Sequence, residues 1–287
     1  MQVSVHPIIE DFAAKVLGFD LSHALPHGLA EELRAAFSKY SVLVLPNQRD
    51  VNYQHLQDFA AIFGQPSACM DITNLDADGN ILDPESLDAR YTRGNALWHM
   101  DMLVLERPPL AAMLLARELP ASGGGQTAFA DLSRVLSSYT PAQRQTLEKL
   151  KAVHTLETIR EKMGIVEEEE IKSEYPPAEH PLVCIDTLSN KRTLLFSAHT
   201  SHIVGLSREE SDALLADLLE RATQKGSVYT HEWAVNDLVI WSNRRAIHRV
   251  LPYEYRNERR RLWRMEILTE ERPASVRPSF WRRLLPW

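Results

Sequence analysis

A histidine and an aspartate stand two residues apart in the segment Trp98-His99-Met100-Asp101. In an extended strand the side chains at positions i and i+2 point to the same face, so His99 and Asp101 could bind one metal ion together. The His-x-Asp pattern is common by chance, and the alternative is a structural histidine near a surface aspartate. A metal site therefore needs a third ligand from elsewhere in the chain.

His248 is the best candidate for the third ligand. The buried-strand pattern of residues 237–241 should deliver Asn243, Arg244 and then His248 at its far end. Two imidazoles and one carboxylate leave the opposite positions of a metal open, as in non-haem Fe(II) oxygenases, although zinc can use the same ligands. An oxygenase of this kind also needs an electron-donating co-substrate that bears carboxylates, and carboxylates need cationic partners.

Arg260 and Arg264 are candidates for those cationic partners. They lie four residues apart in a strand-like run and should share a face, where a guanidinium fork can bind a carboxylate in a bidentate geometry. The alternative is a basic edge strand that discourages aggregation. The spacing alone does not decide between these two interpretations.

A glycine-rich turn, residues 122–127, ends in Thr127, whose hydroxyl could complete a carboxylate-binding pocket. Neither a Gly-x-Gly-x-x-Gly nor a Gly-Lys-Ser/Thr pattern is present, which argues against nucleotide binding.

Together these motifs resemble the Fe(II)/2-oxoglutarate-dependent dioxygenases of the taurine and chlorophenoxyacetate group. The motifs are His99-x-Asp101, Gly-Gly-x-Thr127, Trp241-x-Asn243-Arg244 before His248, and the arginine pair. The resemblance covers essentially the whole chain. It is strongest to the chlorophenoxyacetate branch, in segments 72–79, 95–99 and 199–206.

The resemblance implies a role for each matching residue. The iron ligands would be His99, Asp101 and His248, and the distal carboxylate of 2-oxoglutarate would be bound by Thr127 and Arg260. The substrate would be bound by Arg264, which faces its anionic group, and by Asn95 and His199. Apart from the resemblance, Met102 could form part of an apolar wall for the substrate. With O2, such an enzyme converts 2-oxoglutarate to succinate and CO2 while it hydroxylates a small anionic organic substrate.

Three departures from the family pattern limit this transfer. One extra residue separates His248 from the arginine pair, so the choice of Arg260 over Arg259 rests on the four-residue interval. Segment 183–192 lacks the usual His-Pro and Gly, and Ser242 replaces an aspartate.

The leading substrate class is an aryloxyalkanoate or similar aromatic carboxylate, whose hydroxylation would cleave the ether through a hemiacetal. A sulfonate or a natural-product acid is the alternative within the family. A non-oxygenase metal-binding jelly roll and a zinc hydrolase are alternatives of other classes.

Charge is distributed unevenly along the 287 residues, whose net charge is −7. The stretch from Arg244 to Arg283 contains 12 arginines and five glutamates, whereas the rest of the chain is acidic. A uniformly basic nucleic-acid surface is therefore excluded. Part of the basic excess lies in a tail, residues 272–287, which could pack on the barrel, contact another subunit in a homo-oligomer or meet an anionic surface.

Compartment signals favour a cytoplasmic protein. The two cysteines, Cys69 and Cys184, make no disulfide framework, and no apolar run is long enough for a transmembrane segment.

Elements that could position these residues are visible as short β-type runs with helices between them. Helices are predicted at 29–40, at 53–63 and after N-caps at Thr140 and Ser207. Strands are predicted at 41–45, 110–116, 193–197, 227–232, 238–241 and 262–268. This order predicts one mixed α and β domain over residues 1–287, with a double-stranded β-helix (jelly-roll) core and flanking helices. Segments 65–96 and 157–181 resist assignment and are predicted to be lid or insertion loops.

Overall fold

A computed structural model describes residues 3–165 and 176–269 of the chain. Its elements are numbered here in chain order. The first half contains β1 (Ser4–Ile9), β2 (Ala13–Leu17), α1 (Leu29–Lys39), β3 (Val42–Leu45), α2 (Tyr53–Ala60), β4 (Gln65–Pro66), β5 (Met70–Thr73), α3 (Leu87–Arg93), a 3-10 turn (Gly94–Ala96), β6 (Ala111–Glu118), β7 (Thr127–Asp131), α4 (Leu132–Ser138) and α5 (Pro141–Leu147). The second half contains β8 (Lys151–His154), α6 (Leu156–Lys162), β9 (Ala178–Pro181), β10 (Val183–Asp186), β11 (Lys191–Leu194), β12 (Thr200–Ile203), α7 (Arg208–Ala222), β13 (Val228–His231), β14 (Leu238–Ser242), β15 (Ala246–Val250) and β16 (Arg261–Leu268).

Two sheets carry the residues of interest. The larger has the order β1-β2-β3-β14-β6-β16-β4, with β5 also paired to β16, and the smaller has the order β13-β7-β15. Every pair in these two sheets is antiparallel except β2 with β3. The chain is thus a mixed α and β protein dominated by antiparallel strands.

The central strands of the larger sheet are buried on both faces. On β6, Met113 and Leu115 belong to a core shared with the helices α1 and α2, whereas Ala112 and Leu114 belong to a core shared with the smaller sheet. This division follows from the alternation of side chains along a strand. It explains why β6 and β14 read as continuous apolar runs and are easily found in the sequence.

Aromatic side chains fill the space between the two sheets. Phe129 of β7 and Trp241 of β14 are fully buried, and their ring centroids lie 5.5 Å apart. The ring of Trp241 also lies 4.7 Å from that of His248 on β15. The core between the sheets therefore reaches one of the predicted metal ligands directly.

Helices α5 and α7 begin at the two N-caps predicted from the sequence, Thr140 and Ser207, and α2 begins at a further N-cap, Asn52. Asn52, Thr140 and Ser207 each accept a backbone hydrogen bond and form complete capping boxes at α2, α5 and α7. The predicted end of one helix was too late, because α2 stops at Ala60 and not at residue 63.

Segments 65–96 and 157–181, which the sequence leaves unassigned, contain short helices and strands. The first contains β4, β5, α3 and the 3-10 turn, and the second contains α6 and β9. Their polar composition concealed short elements that are held by pairing to distant strands, as β5 is held by β16. Part of the second segment, like the predicted tail 272–287, lies outside the described residues.

Two strands that matter for the site were missed in the sequence. Thr127 is the first residue of β7 rather than the end of a turn, and His248 lies on β15 rather than at the far end of β14. Both strands have five residues, and each takes its register from the other, Thr127 opposite Val250. Another predicted strand, 193–197, is displaced to 191–194.

Candidate active site

The two histidines of the predicted metal site are joined through their backbones. His99 and His248 form an isolated antiparallel bridge, in which each backbone N–H donates to the other residue's carbonyl at 2.9 Å. Their rings lie with centroids 4.2 Å apart. The position of His248 on β15 therefore determines where both imidazole rings lie.

Asp101 lies beyond this bridge, in a turn and not in the extended strand that the sequence predicted. The side chain of Asn243 holds it there by accepting from the Asp101 N–H at 2.7 Å and donating to the Asp101 carbonyl at 2.9 Å. The same amide also donates to the Pro109 carbonyl at 3.2 Å. The Asn243 amide thus makes the two backbone hydrogen bonds that a neighbouring strand would otherwise make to Asp101. These bonds hold the Asp101 carboxylate close to the two histidines.

The three side chains offer one ligand atom each within 4.8 Å of one another, and all three residues are buried. His99 Nδ1 donates to the Leu97 carbonyl at 2.8 Å, which leaves Nε2 for a metal. Asp101 Oδ2 is buried without a hydrogen-bond partner among the described residues and lies 3.9 Å from His248 Nε2. A buried acceptor of this kind is costly unless a cation binds it, so the residues fit a divalent metal.

The electrostatics of the site favour neutral imidazoles and an ionised carboxylate, the forms that bind metals. Burial lowers the pKa of His99, and it lowers that of His248 to about 3. Burial alone would raise the pKa of Asp101, but Arg264, His248 and His99 together hold it below its ordinary value.

Arg260 is a buried cation beside Thr127. Its Nη2 donates to the Gly125 carbonyl at 2.9 Å. Within the described part of the chain, its Nε has no hydrogen-bond partner and no carboxylate pairs with it. Burial lowers the pKa of Arg260 to about 10. Thr127 Oγ1 accepts from Trp233 Nε1 at 3.1 Å, so its own proton is available to a ligand. The neighbouring Arg259 is exposed and pairs instead with Glu118.

Arg264 is placed differently from Arg260. Its Nη2 lies 2.7 Å from Asp101 Oδ1 and 2.8 Å from Glu266 Oε1, and all three side chains are buried. These carboxylates raise the pKa of Arg264 despite its burial. The contact with Glu266 was missed in the sequence, although the i, i+2 spacing on a strand was a usable signal.

A cavity of about 1060 Å³ unites all nine predicted site residues. Asn95 lies on the 3-10 turn, Met102 has a left-handed backbone with φ of 48°, and His199 is buried with Nδ1 3.3 Å from Ser197 Oγ. Three lining residues that sequence reasoning missed are Tyr91, Arg160 and Tyr253.

Comparisons with known proteins agree with this arrangement. Residues 4–265 match the family model described as "Taurine catabolism dioxygenase TauD, TfdA family". The alpha-ketoglutarate-dependent 2,4-dichlorophenoxyacetate dioxygenase of Cupriavidus pinatubonensis is 32% identical over 94% of this chain and 99% of its own. An alpha-ketoglutarate-dependent sulfate ester dioxygenase of Pseudomonas putida is 27% identical over 86% of this chain and 84% of its own.

Among solved structures, AAD-2 in complex with Mn(II) and N-oxalylglycine superposes with a TM-score of 0.89 at 32% identity, covering 94% of this chain and 98% of AAD-2. The family predicted from the sequence motifs is thereby confirmed. The chain belongs to the TauD, TfdA family of dioxygenases.

Proposed function

We propose that this protein is an Fe(II)- and 2-oxoglutarate-dependent dioxygenase that hydroxylates a small anionic organic molecule. The observation that carries the proposal is the pairing, in one cavity, of a buried His-Asp-His cluster with a buried arginine that no described carboxylate neutralises. The cluster supplies a metal site with open positions, and the arginine supplies the charge that a dicarboxylate co-substrate requires.

The three ligands His99, Asp101 and His248 would hold Fe(II), and the bound metal would supply the chemistry that couples reduction of O2 to oxidation of 2-oxoglutarate, giving succinate and CO2, and to hydroxylation of a substrate C–H bond. In our proposal Arg260 and Thr127 bind the distal carboxylate of 2-oxoglutarate. Arg264 holds Asp101 in its ionised form and faces the anionic group of the substrate. Asn95, His199 and Met102 line the space that the substrate occupies and keep water away from it.

The substrate class we favour is an aryloxyalkanoate or related aromatic carboxylate, because the 2,4-dichlorophenoxyacetate dioxygenase matches almost the full length of both chains. Hydroxylation of the carbon next to the ether oxygen gives a hemiacetal, which collapses to a phenol and an aldehyde or keto acid. A sulfate ester or another sulfur oxyacid is the second candidate, since the sulfate ester dioxygenase also matches most of the chain.

The two segments first read as loops, 65–96 and 157–181, are proposed to cover the substrate. Described residues of both segments line the cavity, and the two segments touch each other: Gly94 leaves no room for a Cβ beside Met163 Sδ, and Arg160 lies over the ring of Tyr91 at 5.3 Å. Closely packed segments of this kind can exclude water during a reaction that must protect its oxidant.

The proposal also includes the type of fold and the cellular location. The two sheets share a core in which Trp241 of one contacts His248 of the other, which supports a double-stranded β-helix (jelly-roll) core within a single domain of residues 1–287. No helix in the described part of the chain is both long and apolar enough to span a bilayer. We propose a cytoplasmic location.

The central test is anaerobic addition of Fe(II) and 2-oxoglutarate, which should produce the weak visible charge-transfer band of the chelate. His99→Ala and Asp101→Ala should lose the band, whereas the control His202→Ala, at an exposed histidine, should keep it. Absence of the band from the unaltered protein, or its survival in both site variants, would contradict the proposal. A panel of aryloxyalkanoates, alkyl sulfates and sulfonates, scored by succinate formation, then separates the two substrate classes.

A further inference from the structure

The indole of Trp233 contacts the proposed 2-oxoglutarate site from outside the cavity. Its Nε1–H donates a hydrogen bond to Thr127 Oγ1 at 3.1 Å. Thr127 lines the cavity, whereas Trp233 does not. The indole can therefore influence a ligand in the cavity only through the threonine hydroxyl.

This hydrogen bond fixes which role the Thr127 hydroxyl can play. A threonine hydroxyl has one proton and two lone pairs, whereas an indole N–H can only donate. Because the indole occupies one lone pair, the hydroxyl proton must point away from Trp233. No described residue accepts that proton. It is therefore directed to an acceptor that the cavity binds.

The hydroxyl and the indole are both held by β13. Thr127 lies on the middle strand of the smaller sheet, where it is paired with His231 of β13. The ring of His231 packs edge-on against the indole of Trp233, with the two ring centroids 4.5 Å apart. The same residue of β13 thus fixes the backbone of the acceptor and the ring of the donor.

A tight turn that follows Trp233 holds its backbone. The Ala234 N–H donates to Asp237 Oδ2 at 3.1 Å, and the Asp237 N–H donates to the Ala234 carbonyl at 3.0 Å. Asp237 Oδ2 also lies 3.3 Å from His231 Nε2, which ties the turn back to β13. The indole N–H is therefore in place before a ligand binds, and a preorganised donor costs less free energy to use.

We propose that Trp233 is a positioning residue that makes Thr127 an obligatory hydrogen-bond donor to the distal carboxylate of 2-oxoglutarate. The inference rests on the proposed function, because it takes Thr127 and Arg260 to bind that carboxylate. An ionised carboxylate only accepts hydrogen bonds, and those it accepts are stronger than neutral ones. Without the indole N–H the hydroxyl can rotate its proton away from the ligand, and part of the affinity is lost.

The test compares the dissociation constants of 2-oxoglutarate and 2-oxobutyrate in the anaerobic Fe(II) protein, both measured by titration of the chelate band. 2-Oxobutyrate has the same chelating end but lacks the distal carboxylate. Trp233→Phe keeps an aromatic ring and removes the N–H. It should raise the dissociation constant of 2-oxoglutarate about 3- to 10-fold and leave that of 2-oxobutyrate within about 2-fold.

Three further comparisons separate the hydrogen bond from packing. Trp233→Leu removes the N–H in another shape and should weaken 2-oxoglutarate binding in the same direction. In a Thr127→Val background, Trp233→Phe should change the dissociation constant of 2-oxoglutarate by less than about 2-fold, because the hydroxyl on which it acts is gone. Trp263→Phe is the matched control, since Trp263 Nε1 has no hydrogen-bond partner among the described residues and Trp263 does not line the cavity.

The inference is overturned if 2-oxoglutarate binding is unchanged in both Trp233 variants. It is also overturned if the two 2-oxo acids lose affinity equally, or if Trp233→Phe has the same effect with and without the Thr127 hydroxyl, since either result would assign Trp233 a purely structural role. Failure of the proposed function would look different. In that case the unaltered protein would show no chelate band with either 2-oxo acid.

Discussion

At the scale of single residues, the site is built from buried charges, some of which are paired and some of which are not. One carboxylate oxygen of Asp101 pairs with Arg264, whereas the other has no hydrogen-bond partner among the described residues. Arg260 has no described acidic partner. Buried unpaired charges are expensive, so their presence in one cavity indicates what the cavity must bind: a cation at Asp101 and an anion at Arg260.

Removing the two groups at the proposed 2-oxoglutarate site should weaken its binding to different extents. Arg260→Gln deletes the buried charge and should raise the dissociation constant on the order of 100-fold. Thr127→Val deletes one neutral hydrogen bond and should raise it about 10-fold. Anaerobic titration of the chelate band measures both values. Equal effects of the two substitutions, or no effect of either, would contradict the assignment.

Asn243 allows a second test at the residue scale. Its side chain holds the backbone of Asp101 in place but supplies no ligand atom to the predicted metal site. Asn243→Ala removes three hydrogen bonds to backbone atoms and should weaken Fe(II) binding about 10- to 100-fold. Titration with Fe(II) in the absence of oxygen measures this change. Asn257→Ala, at an exposed position, is the control, and an unaltered iron affinity in Asn243→Ala would refute the role.

At the scale of elements, the site depends on close approach between the glycine-rich turn and the residues at the start of β16. Gly125 has φ of 67°, and a Cβ added there would lie 2.8 Å from Arg260 Nε. A larger residue in the turn cannot keep this distance, so the turn sets the position of the arginine.

Gly125→Ala should therefore weaken 2-oxoglutarate binding, whereas Gly123→Ala should not. Gly123 also has a positive φ, of 87°, but a Cβ there meets nothing within 4 Å. Both variants should lose on the order of 1 kcal/mol of stability from backbone strain. Chemical denaturation measures the loss of stability that the two variants share. Titration of the chelate band measures the difference between them in 2-oxoglutarate binding. Equal binding in the two variants would show that the contact with Arg260 has no consequence.

At the scale of the whole molecule, several histidines are folded into the interior in their neutral forms. Burial lowers the pKa of His154 from 6.5 to about 3, with smaller contributions from His180 and His199. His154 is fully buried, its Nδ1 lies 3.1 Å from Thr200 Oγ1, and its Nε2 has no hydrogen-bond partner in residues 3–165 and 176–269.

These histidines should make the metal-free protein sensitive to acid. Between the unfolded pKa near 6.5 and the folded pKa near 3, the unfolded chain binds a proton at His154 that the folded chain does not. The free energy of unfolding should therefore fall by about 1.4 kcal/mol per pH unit for each such histidine as the pH decreases through this range. Urea denaturation at a series of pH values measures the slope, and His154→Asn should reduce it. An identical slope in the variant would contradict a neutral buried His154.

The predictable part of the fold followed local rules. Capping boxes marked the starts of α5 and α7, and the apolar runs of β6 and β14 marked strands buried on both faces. Strands β7 and β15 were missed because each has five residues and gains its stability from the other and from the core between the sheets, not from its own composition.

The sequence by itself determined the donor set and the family. His99, Asp101, Thr127 and the arginine pair are residue types whose chemistry is intrinsic, and their order along the chain is characteristic of the TauD, TfdA dioxygenases. Tertiary structure alone decided how they meet, with His99 bridged to His248, Asp101 held by Asn243, and Arg264 shared between Asp101 and Glu266. The reason is physical: the charge state and reach of a buried side chain depend on what segments distant in sequence place beside it, and local spacing carries no information about those neighbours.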